Sequence, residues 1–436
     1  MIEVLEGFFV FLTALMIVFL VRHYVFTLTV LRHARKTAVK IQLVKSVYEP
    51  TVSILIPARN EENVVGRLLQ RMTELTYPQE KTQVIVIDDA SSDKTGQIAD
   101  SFSSRHGFIK VLHRSQDEGG RGKTVAMNAG FSFSTGEITL CFDADYYPQR
   151  NIVEKLTRPF EDPKVGAVQG RVVVLNEPQN TVTRMVALER IGGYRVDQEA
   201  RDNLGLIAQF GGTVGGFRRC LLKSLGGWDE AILAEDTDLT FRVALAGYRV
   251  RYVKDAECYE EAVDSWRAYF TQRYRWARGH MQCCLKHSVG VLKSKKLSVA
   301  CKIDGLLLLN IYFMPLLVFA SVVVGVPLIL LNSSEVAKIM WFSVPIALYS
   351  FVGNFAPFFE VGIGAYLDGR QRIQWLLPLL VFTFVYNIPI CTKAFIDLLS
   401  SKITRRGHHP VWDKTSHLGN GSLYIADLPS IGEGSS

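Results

Sequence analysis

The stretch Gln83-Val-Ile-Val-Ile-Asp-Asp-Ala-Ser-Ser-Asp93 joins a short β-rich apolar run to a carboxylate pair and a helix start. Val52-Ser-Ile-Leu-Ile56 ends at Pro57 in the same manner, and Ile138-Thr-Leu-Cys-Phe142 ends at Asp143. Continuous apolar runs of this length suit strands buried on both faces of a parallel sheet. Helical patterns separate them. One covers 61–74, with Val64, Val65, Leu68, Leu69 and Met72 at helical spacing. A second starts at its N-cap Asp93 and runs to about 102, and a third covers 123–133 after Gly122. The β-α-β-α-β alternation predicts an α/β domain with a doubly wound, mostly parallel open sheet. Ligands of such sheets bind beyond the carboxyl ends of the strands. Those ends carry Pro57-Ala-Arg-Asn-Glu61, Asp88-Asp89 and Asp143-Ala-Asp145.

The rest of the chain has a different character. Of 436 residues, 49 are Lys or Arg and 42 are Asp or Glu, a net charge of +7. Residues 305–399 hold only eight of these charges. This excludes a uniform soluble globule and a disordered chain, and points to a polar domain joined to a membrane domain. Four apolar stretches are long enough to be spans: 7–31, 305–331, 339–359 and 373–399. The first is preceded by Glu3 and Glu6 and followed by Arg32, Arg35, Lys36, Lys40 and Lys45. That flank is wrong for a cleaved leader, so a retained anchor with its basic side in the cytoplasm is expected. Residues 265–303 carry nine Lys/Arg and no acid, which places the whole intervening domain in the cytoplasm. Arg370 and Arg372 mark a second cytoplasmic side, and Lys402, Arg405 and Arg406 a third. One helix cannot have both ends inside, so one stretch is re-entrant or one cluster breaks the bias; a cytoplasmic tail is the expectation. The expected divisions are an anchor with its basic flank (1–45), the α/β domain (46–264), an amphipathic interfacial segment (265–304), transmembrane helices (305–399) and a tail (400–436). Seven cysteines without a C-x-x-C fit reduced thiols in cytoplasm.

Each polar cluster has two readings. Asp143-x-Asp145 suits a hard divalent cation, Mg²⁺ or Mn²⁺, or is a solvated turn. Asp88-Asp89 offers acceptors to a ribose or base, or belongs to the capping of the next helix. Glu235-Asp236 contains a candidate general base, or is an acidic first helical turn. Gln272-Arg-Tyr-Arg-Trp276 has Arg275 for a diphosphate and Trp276 for stacking on a sugar, or lies along lipid headgroups. Gly119-Gly-Arg-Gly-Lys-Thr124 is not a true phosphate loop, since Asp117 stands where its first glycine belongs, but Lys123 can still reach a phosphate. The glycines of Gly211-Gly-Thr-Val-Gly-Gly216 allow close backbone approach to a ligand. The uncharged span next to the basic stretch favours lipid headgroups over nucleic acid as its partner.

Taken in order, these residues resemble the processive membrane glycosyltransferases of family 2, which include poly-N-acetylglucosamine, cellulose, chitin and hyaluronan synthases. The matching features are Pro57-x-x-Asn60-Glu61, Asp88-Asp89, Lys123 with Asn128, and Asp143-x-Asp145. Gly226-Gly-Trp-Asp-Glu230, Glu235-Asp236 and Gln272-x-x-Arg275-Trp276 follow, with Trp412-Asp-Lys-Thr415 as a tail element. The resemblance implies a GT-A fold, a UDP-sugar donor, and Mg²⁺ or Mn²⁺ as cofactor. It implies that Asp88 contacts the uridine and that Pro57, Asn60, Glu61, Asp89, Lys123 and Arg275 belong to the nucleotide-sugar site. Asp143 and Asp145 would hold nucleotide and metal. Asp236, beside Glu235, would be the base, and Gln272 and Trp276 would meet the acceptor. The implied product is a β-linked polysaccharide made by inversion at a bacterial plasma membrane, with accessory export subunits as possible partners. Single-sugar transfer to a lipid is the alternative, and a non-catalytic nucleotide-sugar-binding or export subunit is a more distant one. Two departures stand out. Ala234 replaces the Thr that many members carry before Glu-Asp, and the residues after 399 are too few for a cyclic-di-GMP-binding domain.

Overall fold

The computed structural model describes residues 2–37, 48–331, 355–404, 419 and 424–425. Most of the third expected span lies outside the described residues. So do Lys40, Lys45, Arg405, Arg406 and the Trp412 element.

The strands are β1 (Val52–Ala58), β2 (Thr82–Asp88), β3 (Ile109–His113), β4 (Ile138–Cys141), β5 (Tyr147–Pro148), β6 (Val165–Val174), β7 (Gly215–Arg218) and β8 (Arg249–Glu260). They form one sheet in the order β3-β2-β1-β4-β7-β6-β8-β5. β1 pairs in parallel with β2 and β4, as the apolar runs predict, and β2 pairs in parallel with β3, a half-exposed strand that no apolar run announced. The chain moves outward from β1 to β3 and returns on the other side of β1 as β4. The ends of β1 and β4 therefore flank a switch point, where an open sheet leaves a crevice. The other half is mixed: β7 runs antiparallel to β4 and β6, β8 parallel to β6, and β5 antiparallel to β8. Gly215 and Gly216 make β7 possible. A Cβ on Gly216 would stand 2.0 Å from the Thr139 carbonyl, and one on Gly215 2.2 Å from that of Val168. Strand crowding accounts for these two glycines.

The helices are α1 (Ile2–Thr37), α2 (Val65–Thr73), α3 (Thr95–Ser103), α4 (Lys123–Ser132), α5 (Ile152–Thr157), α6 (Thr181–Arg190), α7 (Glu199–Asn203), α8 (Arg219–Ser224), α9 (Glu235–Ala246), α10 (Trp266–Lys293), α11 (Val299–Leu309), α12 (Met314–Leu331), α13 (Ala356–Leu367) and α14 (Leu380–Thr404). A π-helical segment, Ile191–Gln198, joins α6 to α7. α2 buries Val65, Leu68, Leu69 and Met72 against the sheet. It starts later than its apolar spacing suggests, because the Glu61 carbonyl accepts from both Val64 and Val65 in a preceding turn. The N-cap of α3 is Lys94 rather than the expected Asp93 and makes no side-chain capping bond; Asp93, one residue earlier, accepts from the Thr95 amide at 2.9 Å within the preceding turn.

Residues Gly7–Ala34 and Gln371–Ser401 are long and apolar enough to cross a membrane. Val299–Leu309 and Ile311–Pro327 form a third such unit, bent by 46°, which makes it a broken span or a re-entrant loop. α10 lies between the two parts of the molecule. One side packs on Phe241 and Ala244 of α9, and another packs Ala277 and Met281 on Cys391, Ala394 and Leu398 of α14.

Candidate active site

A cavity of about 1240 Å³ opens at the switch point and continues between α1, α12 and α14. Pro57, Glu61, Asp89, Lys123, Asp143, Asp145, Glu235, Asp236, Gln272, Arg275 and Trp276 all line it. Asn60 and Asp88 are not among its lining residues. Side chains alternate along extended backbone, so of the two adjacent aspartates only Asp89 faces the cavity. Asp88 instead accepts from the Ser91 amide at 3.1 Å and meets His113 Nδ1 at 3.0 Å. Asp89 is held by Arg114 and by the Gly120 amide at 3.1 Å, which ties the Gly119–Gly122 loop to the β2 end. Asn60, at φ 53°, closes a turn by accepting from the Ser92 amide at 2.8 Å.

Lys123, at the start of α4, links the carboxylates. Its Nζ lies 2.5 Å from Asp143 and 3.9 Å from Glu235, and donates to the Gly212 carbonyl at 3.1 Å. Burial works against the lysine charge, but Asp143 and Glu235 raise its pKa above the ordinary lysine value. Asp236 responds in the opposite sense. Burial first, and then the Glu235 carboxylate, push it up to about 7, while the Thr237 amide and Lys123 pull it down. A carboxylate near neutrality in a cleft is matched to proton abstraction at physiological pH. Asp143 and Asp145 offer only oxygen donors, and Asp143 already meets an ammonium; this set fits a hard divalent cation.

Thr237 supplies a hydroxyl beside the acidic pair, where Ala234 does not. Its Oγ1 accepts from Gln209 at 2.8 Å and meets His280 Nε2 at 3.1 Å. α10 passes close to this point: a Cβ on Gly279 would stand 2.5 Å from the Ala234 amide nitrogen and 2.7 Å from its Cβ, so glycine is required at 279. Burial lowers His280 to about 4, so its imidazole is neutral.

The Gln272–Trp276 turn of α10 forms the next wall. The Trp276 ring lies 4.2 Å from the Arg273 guanidinium and 5.1 Å from that of Arg190. Arg273 pairs with Glu189, and Arg190 is bidentate on Glu260 at 2.5 and 3.0 Å. Cation–π contacts therefore fix the indole orientation. Among the described residues Arg275 has no hydrogen-bond or ion-pair partner, which leaves its guanidinium available to an anion. Asn128, by contrast, is structural, exchanging two 2.9 Å hydrogen bonds with the Trp228 backbone.

A charged network closes the wall toward the first span. Arg22 meets Asp197 at 2.9 Å and Asp304 at 3.2 Å, Arg201 meets Asp304 at 3.0 Å, and His23 pairs with Glu360. Arg22 and His23, which interrupt the first apolar run, thus face protein partners as intramembrane charges require. Sequence reading missed this network and His280, since their members meet only through packing.

A family model described as "Glycosyltransferase like family 2" matches residues 50–279, more than half of the chain, so the chain belongs to this family. Over 248 residues it is 39% identical to "Probable glycosyltransferase YdaM" of Bacillus subtilis, covering 57% of this chain and 59% of that one. It therefore spans less than two thirds of that relative. It is 30% identical over 375 residues to a beta-monoglucosyldiacylglycerol synthase of Trichormus variabilis, covering 85% of this chain and 77% of the other. Against a poly-beta-1,6-N-acetyl-D-glucosamine synthase of Staphylococcus epidermidis it is 24% identical, covering 86% and 89%. The fold matches a mannosyltransferase of Pyrobaculum calidifontis, solved with GDP-mannose and Mn²⁺, with a TM-score of 0.56 at 24% identity over 84% of this chain and 99% of that one. The fold is of the GT-A type.

Proposed function

We propose that the protein transfers a sugar from a UDP-linked donor to an acceptor hydroxyl, with inversion, at the cytoplasmic face of a bacterial plasma membrane. The observation that carries this is Asp236, a half-buried carboxyl whose pKa is pushed up to about 7 in the same cavity as Lys123, Asp143 and Asp145. The acceptor oxygen attacks the anomeric carbon, the bond to UDP breaks, and Asp236 takes the acceptor proton. Asp143 and Asp145 would hold Mg²⁺ or Mn²⁺, which neutralises charge on the diphosphate leaving group. Arg275 would bind that diphosphate, Asp89 and Glu61 would hold the nucleoside side, and Gln272 and Trp276 would orient the acceptor, a reading supported by their common cavity. Asn60 and Asp88 act by shaping the turns around the site. The proposed divisions are the anchor at 1–45, the catalytic domain at 46–264, the interfacial segment at 265–304, the membrane helices at 305–399 and the tail at 400–436.

A growing β-linked polysaccharide is the first acceptor reading, supported by the matched motif set and by the poly-N-acetylglucosamine synthase relative. A lipid acceptor is the second, supported by the glucosyldiacylglycerol synthase relative. The test incubates enzyme-containing membranes with radiolabelled UDP-sugars and Mn²⁺ or Mg²⁺. Transfer from at least one donor is expected, and no turnover of any UDP-sugar sinks the proposal. EDTA should lower transfer by roughly 100-fold or more, the scale of several kcal/mol of leaving-group stabilisation, and either ion should restore it.

Lys123→Met should shift the rising limb of the pH–rate profile upward. The ammonium lowers the Asp236 pKa, so without it Asp236 faces Glu235 uncompensated. A limb that stays in place shows that the two groups do not interact.

A further inference from the structure

We propose that the membrane side of the cavity is a slot for an acyl chain, so that the acceptor enters as a membrane lipid with its hydroxyl at Asp236. This rests on the glycosyltransferase reading and names its acceptor class; it fits a finished glycolipid and equally a polymer begun on a lipid.

The slot is built from facing stripes. Phe9, Met16 and Leu20 lie on one face of α1, Val318 and Val322 on one face of α12, and Phe384 on α14. From Phe9 to Leu20 the α1 backbone rises ~16 Å, close to one leaflet of a hydrocarbon core about 30 Å thick. Two hydroxyls occur on these stripes, and both are used locally. Thr13 Oγ1 donates to the Phe9 carbonyl at 2.9 Å, and Ser321 Oγ to the Val318 carbonyl at 2.8 Å. Arg22, His23, Glu360 and Asn387 also line the cavity, but each is engaged by a protein partner, so a sugar chain threaded here would find little to replace its water, whereas an acyl chain loses nothing.

The slot is continuous with the catalytic end, since the same cavity holds Asp236 and Trp276. Gly193 belongs to the wall of this shared cavity. It sits in the π-helical segment, and a Cβ there would meet nothing within 4 Å. Neither packing nor a positive φ requires glycine at this point, and its bare backbone leaves room for a passing ligand. Helical irregularities of this kind concentrate at functional sites.

The test uses the full-length enzyme in nanodiscs with a diacylglycerol bearing a diazirine on one acyl chain. Crosslinks should concentrate on α1 and α12 peptides. Val322→Trp and Val318→Trp should each reduce them about tenfold, the scale of a steric change in an apolar pocket. Val323→Trp, one residue away and outside the cavity lining, should leave them unchanged. In parallel, dioleoylglycerol should draw label from a radioactive UDP-sugar into a solvent-extractable product, and Val322→Trp should raise the acceptor KM. Crosslinks spread evenly over the membrane helices and indifferent to Val322→Trp overturn the proposal. So does label found only in a water-soluble polymer formed equally well without lipid. If no UDP-sugar turns over, the glycosyltransferase reading fails, and the crosslinks still decide the slot.

Discussion

Replacing Asp236 with Asn should lower kcat by ~10²–10⁴-fold, the contribution of a positioned general base, with little change in UDP-sugar affinity. The wild-type rate should climb about tenfold per pH unit below the Asp236 pKa of about 7 and level above it. The variant should lack that limb. Stability should move in the other direction. A carboxyl whose folded pKa exceeds its unfolded value binds its proton more tightly in the native state. The charge on Asp236 therefore costs the wild type stability progressively as pH rises from about 4 toward 7. Asp236→Asn should raise Tm at pH 8 and leave it nearly unchanged at pH 4. Full transfer activity in the variant would end the assignment of Asp236 as base. A Tm gain independent of pH would show that the effect is not its charge.

In the first half of the sheet β1, β2 and β4 were legible because they are apolar runs that end in polar clusters, whereas the edge strand β3 is half-exposed and was not. Two-sided burial leaves that mark on sequence. In the second half the apolar run of β6 is broken by Gln169, Gly170 and Arg171, and β7 and β8 carry no such mark. β7 reads Gly-Gly-Phe-Arg, and its glycines suggested an approach to ligand, whereas Gly215 and Gly216 meet strand carbonyls. β8 reads Arg-Val-Arg-Tyr-Val-Lys-Asp-Ala-Glu-Cys-Tyr-Glu, and only its pairing beside β6 reveals it. The site was legible where residues lie at strand ends and helix starts, as with Asp143, Asp145 and Glu235-Asp236. It was not legible where rotation about the chain decides. The adjacent Asp88 and Asp89 looked equivalent, but only Asp89 turns to the cavity. His280 is one helical turn beyond Trp276, and its meeting with Thr237 depends on how α10 crosses α9.

Asp238→Ala should destabilise the protein by about 3–5 kcal/mol, the penalty for removing one partner from a buried charge network. Asp238 is fully buried and takes three partners: His287 Nε2 at 2.8 Å, Lys286 Nζ at 2.6 Å and Arg242 Nε at 2.7 Å. Burial alone would raise its pKa. Hydrogen bonds from His287 and Lys286, with the Arg242 charge, bring it down to about 2. Two carboxyls on one turn of α9 are thus driven apart, Asp236 to about 7 and Asp238 to about 2. Such divergence separates a proton-transferring group from a permanently ionised one. Asp238 ties α9, which carries Asp236, to α10, which carries Gln272–Trp276. Its loss should therefore lower kcat along with Tm, although it is not among the residues lining the cavity. Because its folded pKa lies below the unfolded value near 3.9, its stabilisation is complete above about pH 4 and disappears as pH falls through about 2. Denaturation of the detergent-solubilised enzyme should show a wild-type advantage over Asp238→Ala that is constant from pH 7 to 5 and shrinks below pH 4. Asp238→Asn, which keeps the shape and one acceptor oxygen, should lose less stability than Asp238→Ala. Equal losses in the two variants would locate the effect in packing and remove charge from the account.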